Sequence, residues 1–155
     1  MIQYVPTIVI AALILGFIIY RQMRTAPVRP RQLVVFPVVL ALLGLSNVNE
    51  HPPASEAAII ALVASGVTAI VFGVGRGYTV RIWRANGKLL RKGVAATIVL
   101  WIVAIVLRIL IGIQAQRAGV AASVSTGEAP LFVAFTLAAQ NVVLWLRAQS
   151  EHLPG

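Results

Sequence analysis

The chain is predicted to be all-α, an integral membrane bundle of about five transmembrane helices forming one domain over residues 1–155, and two observations carry that expectation. Of its 155 residues, 59% are hydrophobic and only 11% charged, against roughly 25% charged in soluble domains. A mean hydropathy of +0.92 arrives as apolar runs separated by short charged segments, and none of those segments is long enough to hold a soluble domain.

The runs are 4–20, 33–48, 57–75, 94–113 and 130–146. Each is near the ~17 to 25 residues that cross a ~30 Å hydrocarbon core at 1.5 Å per residue. The first run is expected to be retained as a span: residues 1–6 carry no positive charge, and Arg21 and Arg24 follow the run, the reverse of a secretory signal peptide. The second is short, and its Pro37 removes one intrahelical hydrogen bond, so a kinked or partly re-entrant segment is the alternative there.

Charge orders these spans. The first loop holds Arg21, Arg24, Arg29 and Arg31, and the third holds Arg76, Arg81, Arg84, Lys88, Arg91 and Lys92, with no carboxylate in either. The second loop holds Glu50 and Glu56 without Lys or Arg, and the fourth sets Arg117 against Glu128. Since cytoplasmic loops retain Lys and Arg during insertion, loops one and three are expected inside, the N-terminus outside and the C-terminus cytoplasmic. Dropping the second span would put the two basic loops on opposite sides, so the alternation supports five. The stretch 114–127 is small and polar and reads as an exposed connection.

The third span carries Ala57, Ala61, Ser65, Ala69, Gly73 and Gly77, an unbroken row of small residues at spacing four. Such rows let helices approach closely. Four residues advance a helix by roughly 400°, so the row turns by about 40° per step and no single partner covers it. This helix is expected to sit centrally and to meet different neighbours at its two ends, in packing rather than as a ligand groove.

Arg108 is the charged residue set well inside a span, on the same helical face as Thr97, Trp101 and Ala104. It lies about 7 to 8 Å from the span's outer end, within snorkelling reach. It reads as an interface anchor, as a partner of Glu128 or Glu56, or as a transport or ligand residue. Span five presents Ala134, Ala138, Asn141 and Trp145 on one face with Gln140 adjacent. Its two amides need interhelical hydrogen bonds, or else they line a substrate path. Tyr4, Tyr20, Tyr78, Trp83 and Trp145 fall near span ends, as in an aromatic belt.

The loop 76–93 mixes basic and apolar side chains around Asn86-Gly87, a strong two-residue turn signal. Either it forms a short hairpin at the membrane surface or span three continues as helix to about Trp83. Arg76, Arg81, Trp83, Arg84, Lys88, Arg91 and Lys92 are expected to contact anionic headgroups or a partner protein, or to act only in setting topology.

Several classes of chemistry have no residues to run on. The net charge of +9 lies beside apolar spans without a stripe of stacking aromatics, so no nucleic acid partner is expected. The chain has no cysteine, which excludes disulfides, thiolate metal sites and dithiol relays on this chain. His51 and His152 fall on opposite sides of the membrane and outside the spans, so neither a shared metal nor bis-histidine haem is expected. Gly73-Val-Gly75-Arg-Gly77 lacks the preceding strand and following Gly-Lys of a phosphate loop. Ser65 has no base for nucleophilic catalysis, and no carboxylate lies within a span for proton-coupled export. The expectation is a non-enzymatic protein with no cofactor, no metal and no catalytic residue.

Arg21-Gln-Met-Arg24 through Pro30-Arg31, then Gly77-Tyr-Thr-Val-Arg81-Ile-Trp83, Gly87, Arg91-Lys92-Gly93 and a terminal Leu146-Arg147-Ala148-Gln149 together resemble the CcdC-like family of small bacterial integral membrane proteins, of actinobacterial type. The resemblance covers most of the chain. It implies a bacterial plasma membrane location and an association with cytochrome c biogenesis, in a family of unassigned molecular activity. Without cysteine the chain cannot pass electrons by thiol exchange, so that role would be accessory. The functional expectation is an accessory or scaffold component of a membrane assembly. The alternative is a small transporter or channel with a polar path near Arg108, Gln140 and Asn141.

Overall fold

The computed structural model describes residues 5–50, 52–121, 124 and 128–150. Tyr4, His51, His152 and part of the connection 114–127 therefore lie outside the described residues. Five long helices answer to the five runs: α1 (Val5–Met23), α2 (Pro30–Glu50), α3 (Glu56–Thr79), α4 (Ala95–Arg117) and α5 (Ala129–Ser150). Between them stand three short strands, β1 (Ala26–Pro27), β2 (Arg81–Ala85) and β3 (Lys88–Lys92). Four helices, α2 to α5, are long and apolar enough to cross a membrane, while the apolar stretch among the described residues of α1 is the shorter Ala12–Met23.

Local chemistry sets the ends of these helices. Ser55 is extended and its hydroxyl accepts from Ala58 N at 3.1 Å, while Glu56 places a negative charge in the first turn of α3. At the far end of α4, Gly119 takes a φ of 93°, Gly119 N donates to Gln116 O and Val120 N to Ala115 O, both at 3.0 Å. That paired arrangement satisfies carbonyls the helix leaves open, and Val120 packs on Ala115.

The loop 76–93 resolves its two alternatives in sequence. Helix α3 continues only to Thr79, and the chain then turns into the β2–β3 hairpin through Asn86 and Gly87, both at positive φ (52° and 74°). Two successive positive φ values match the right-handed twist of the flanking strands. Loop one joins the same sheet: β1 pairs antiparallel with β3, Ala26 opposite Arg91 and Pro27 opposite Leu90, giving the order β1-β3-β2. Pro27 has no N–H to donate, which an edge strand tolerates. Both basic loops thus lie in one sheet at one end of the bundle.

Helix α5, rather than α3, is the most buried of the four long apolar helices. It packs against both α2 and α3, and α3 in turn packs against α4. The small-residue row divides between two partners. Ala57 and Ala61 pack with Ala115 and Val120 near the end of α4, and Ala69 is buried with Ala104 and Phe132. Gly73 and Gly77 face α5, where a β-carbon on Gly77 would stand 2.5 Å from Val143 Cβ. A β-carbon on Gly73 would run into Thr136 O. The predicted centre moves to α5 because α5 receives close approaches on two sides: a β-carbon on Gly44 of α2 would stand 2.7 Å from Leu131 N.

Elsewhere the surface is apolar. Leu13, Phe17, Val34, Leu42, Ile60, Val63, Ile102 and Leu146 are each more than half exposed, and contiguous apolar exposure on this scale is rare in water-soluble monomers.

Candidate functional site

At the sheet end, buried polar side chains tie the helices together. Arg76 occupies the last turn of α3 and is fully buried. Its Nε donates to Gln140 Oε1 at 3.0 Å and its Nη2 to Thr136 Oγ1 at 2.7 Å. Thr136 and Gln140 are one turn apart on α5, so a planar guanidinium reaches both at once. The guanidinium carbon lies 3.7 Å from the centre of the Trp101 ring on α4, well inside the ~6 Å at which a cation is drawn to an aromatic face. Trp101 Nε1 donates in turn to Gln22 Oε1 on α1 at 2.9 Å. Four helices meet through this one chain of contacts.

The fifth is joined by a backbone defect. Pro37 cannot donate to the carbonyl four residues before it, Leu33 O. Asn141 Nδ2 of α5 donates to that oxygen at 2.7 Å. Helix α2 runs unbroken through Pro37.

Two further contacts complete the end. Arg147 Nη1 donates to Gly77 O at 2.6 Å and to Val80 O at 2.7 Å, placing a cation where the α3 dipole is negative and its last carbonyls are open. The Thr79 and Thr97 hydroxyls lie 3.0 Å apart, joining the end of α3 to the start of α4.

The expectation that Arg76 contacts lipid headgroups or a partner is corrected. The helix runs past residue 75, so Arg76 falls on the buried side with Ala69 and Gly73 at spacing i, i+4, i+7. The other basic residues named with it stand on the sheet. Arg81, Arg84, Lys88 and Lys92 are exposed, while Trp83 and Arg91 are half-buried. Pairing of Arg81 with Lys92 and Trp83 with Leu90 puts Arg81, Trp83, Lys88 and Lys92 on one face. Arg91 is on the other face, where burial and then the nearby charge of Arg21 lower its pKa.

Arg108 lies at the opposite end and pairs with Glu128 at 3.8 Å, the two side chains 13% and 6% exposed. Burial raises the Glu128 pKa and Arg108 partly offsets the rise. Among the described residues no group of three or more His, Cys, Asp or Glu is placed to hold a metal ion.

Sequence reasoning did not single out Gln22, Thr136 or Arg147 as ties between helices. The i, i+4 spacing of Thr136 and Gln140 was a signal for a shared polar contact, whereas the charge of Arg76 gave no sign of its burial. No family model, curated protein or solved structure matches the chain.

Proposed function

We propose that this chain is a multi-pass protein of a bacterial plasma membrane, N-terminus outside and C-terminus cytoplasmic, acting without catalysis as an accessory or scaffold component of a membrane assembly. Membrane residence is supported by four long apolar helices with outward-facing Val, Leu, Ile and Phe. Of the thirteen basic residues only Arg108 and Arg117 belong to the end away from the sheet, which supports a cytoplasmic sheet. The resemblance to CcdC-like proteins would attach the role to cytochrome c biogenesis.

The observation that carries the scaffold reading is that Arg76, Thr136, Gln140 and Asn141 are engaged between helices while the basic sheet presents Arg81, Arg84, Lys88 and Lys92 outward. Gln140 accepts from Arg76, Asn141 donates to Leu33 O, and Arg108 faces Glu128. Groups fixed in this way tie helices together, which favours scaffold over transporter.

The test is a photoreactive residue in place of Trp83, crosslinked in native membranes. Capture of one defined protein, with no solute flux through reconstituted vesicles, is the expected result. Lipid adducts alone, accompanied by flux, overturn the reading in favour of transport.

A further inference from the structure

A cleft of roughly 290 Å³ separates α1 from α2, with α5 at its back. It exists because α1 approaches the other helices only sparsely at the backbone. Helix α1 is held by Ile18 against Trp101 and Leu137 and by the Gln22 contact to Trp101. The cleft's walls are mixed. Phe17 comes from α1 and Val35, Phe36 and Val39 from α2, and these side chains open outward; Phe17 is 62% and Val35 58% exposed. The lining also carries Arg21 and Arg91, with the amides of Gln22, Gln32 and Asn141.

These two cations come from the last turn of α1 and from β3, brought together because β1 pins the chain that follows α1 against β3. Neither has an ion-pair partner among the described residues, and like charges held together are unfavourable until an anion lies between them. An apolar slot open to the side, closed at one end by two guanidiniums, is complementary to a molecule with an anionic head and an apolar tail. Arg is the cation suited to phosphate oxygens, since its planar fork offers paired donors.

We infer that the α1–α2 cleft is a binding site for one anionic membrane phospholipid, its phosphate held between Arg21 and Arg91 and an acyl chain lying along Phe17, Phe36 and Val39. The site rests on the proposed membrane residence and adds to it a discrete lipid. It is distinct from the hairpin face that carries Arg81, Lys88 and Lys92, which is opposite to the face of Arg91.

The test is native mass spectrometry of the full chain released from nanodiscs of equal phosphatidylglycerol and phosphatidylcholine. The expected result is retention of one phosphatidylglycerol, reduced at least tenfold in Arg21→Ala/Arg91→Ala and in the cleft-filling Val35→Trp. It is unchanged in Arg81→Ala/Lys92→Ala, and soluble glycerol phosphate does not displace it. Arg21→Lys/Arg91→Lys, which keeps the charges, retains lipid partly and guards against a folding defect. Equal retention of phosphatidylcholine, displacement by glycerol phosphate, or equal loss in the hairpin variant overturns the site. Membrane residence is read separately, by resistance of the wild-type chain to carbonate extraction, so failure of one is not failure of the other.

Discussion

Replacing Asn141 with Ala removes the amide that donates to Leu33 O at 2.7 Å and leaves that carbonyl without its helical donor, because Pro37 has no N–H to offer. An unmade bond at a buried backbone oxygen costs about 1–3 kcal/mol. Interhelical hydrogen bonds measured within membranes fall lower, near 0.6 kcal/mol on average and about 1.7 at most. A value of about 1 kcal/mol is therefore expected, plus whatever packing the truncated side chain loses. Pro37→Ala separates the two contributions, since the alanine introduced there brings a backbone N–H that supplies the missing donor. In that background Asn141→Ala loses packing but no longer strands the carbonyl. The double-mutant cycle is thus expected to show a coupling of about 1 kcal/mol, roughly a fivefold change in the unfolding equilibrium. Reversible unfolding in mixed micelles of mild and denaturing detergent, followed by tryptophan fluorescence and circular dichroism, measures it. If Asn141→Ala destabilises both backgrounds equally, the amide is not the substitute for the proline's missing hydrogen bond and the account of α2 fails.

Arg76→Ala removes two charge-assisted hydrogen bonds and the contact with Trp101, and is expected to destabilise by roughly 2–4 kcal/mol. Arg76→Lys recovers only part of this, because an ammonium cannot stack on Trp101 and span Thr136 and Gln140 together; an unfolding transition identical to wild type in the Ala variant would contradict the buried contacts. Gly73→Ala forces a β-carbon into Thr136 O and to 2.9 Å from Ala139 Cβ, so a loss of about 1–3 kcal/mol is expected from the α3–α5 seam. Gly66→Ala, with nothing within 4 Å, serves as the control and is expected to be neutral or slightly stabilising in the same assay.

Helix number, the grouping of basic loops and the tight turn are properties of neighbouring residues, and these were legible in the sequence. Apolar runs of span length require helices because a backbone away from water must bond to itself. Asn86-Gly87 specifies its turn because few other pairs accept two positive φ values. The row from Ala57 to Gly77 meets α4 at one end and α5 at the other.

Tertiary structure alone decided which polar residues became internal. Arg76 reads as the first cation of a basic loop, and its charge predicts exposure; its burial depends on Thr136 and Gln140, some sixty residues away, and on an indole from α4. The same holds for Asn141, whose partner is a carbonyl freed by a proline on another helix. Likewise β1 is only two residues long and carries no strand signal, since it forms where β3 offers an edge. Local sequence sets what a segment prefers, but the energy of burying a polar group is set by the partner it meets, and that partner is chosen by how the helices pack.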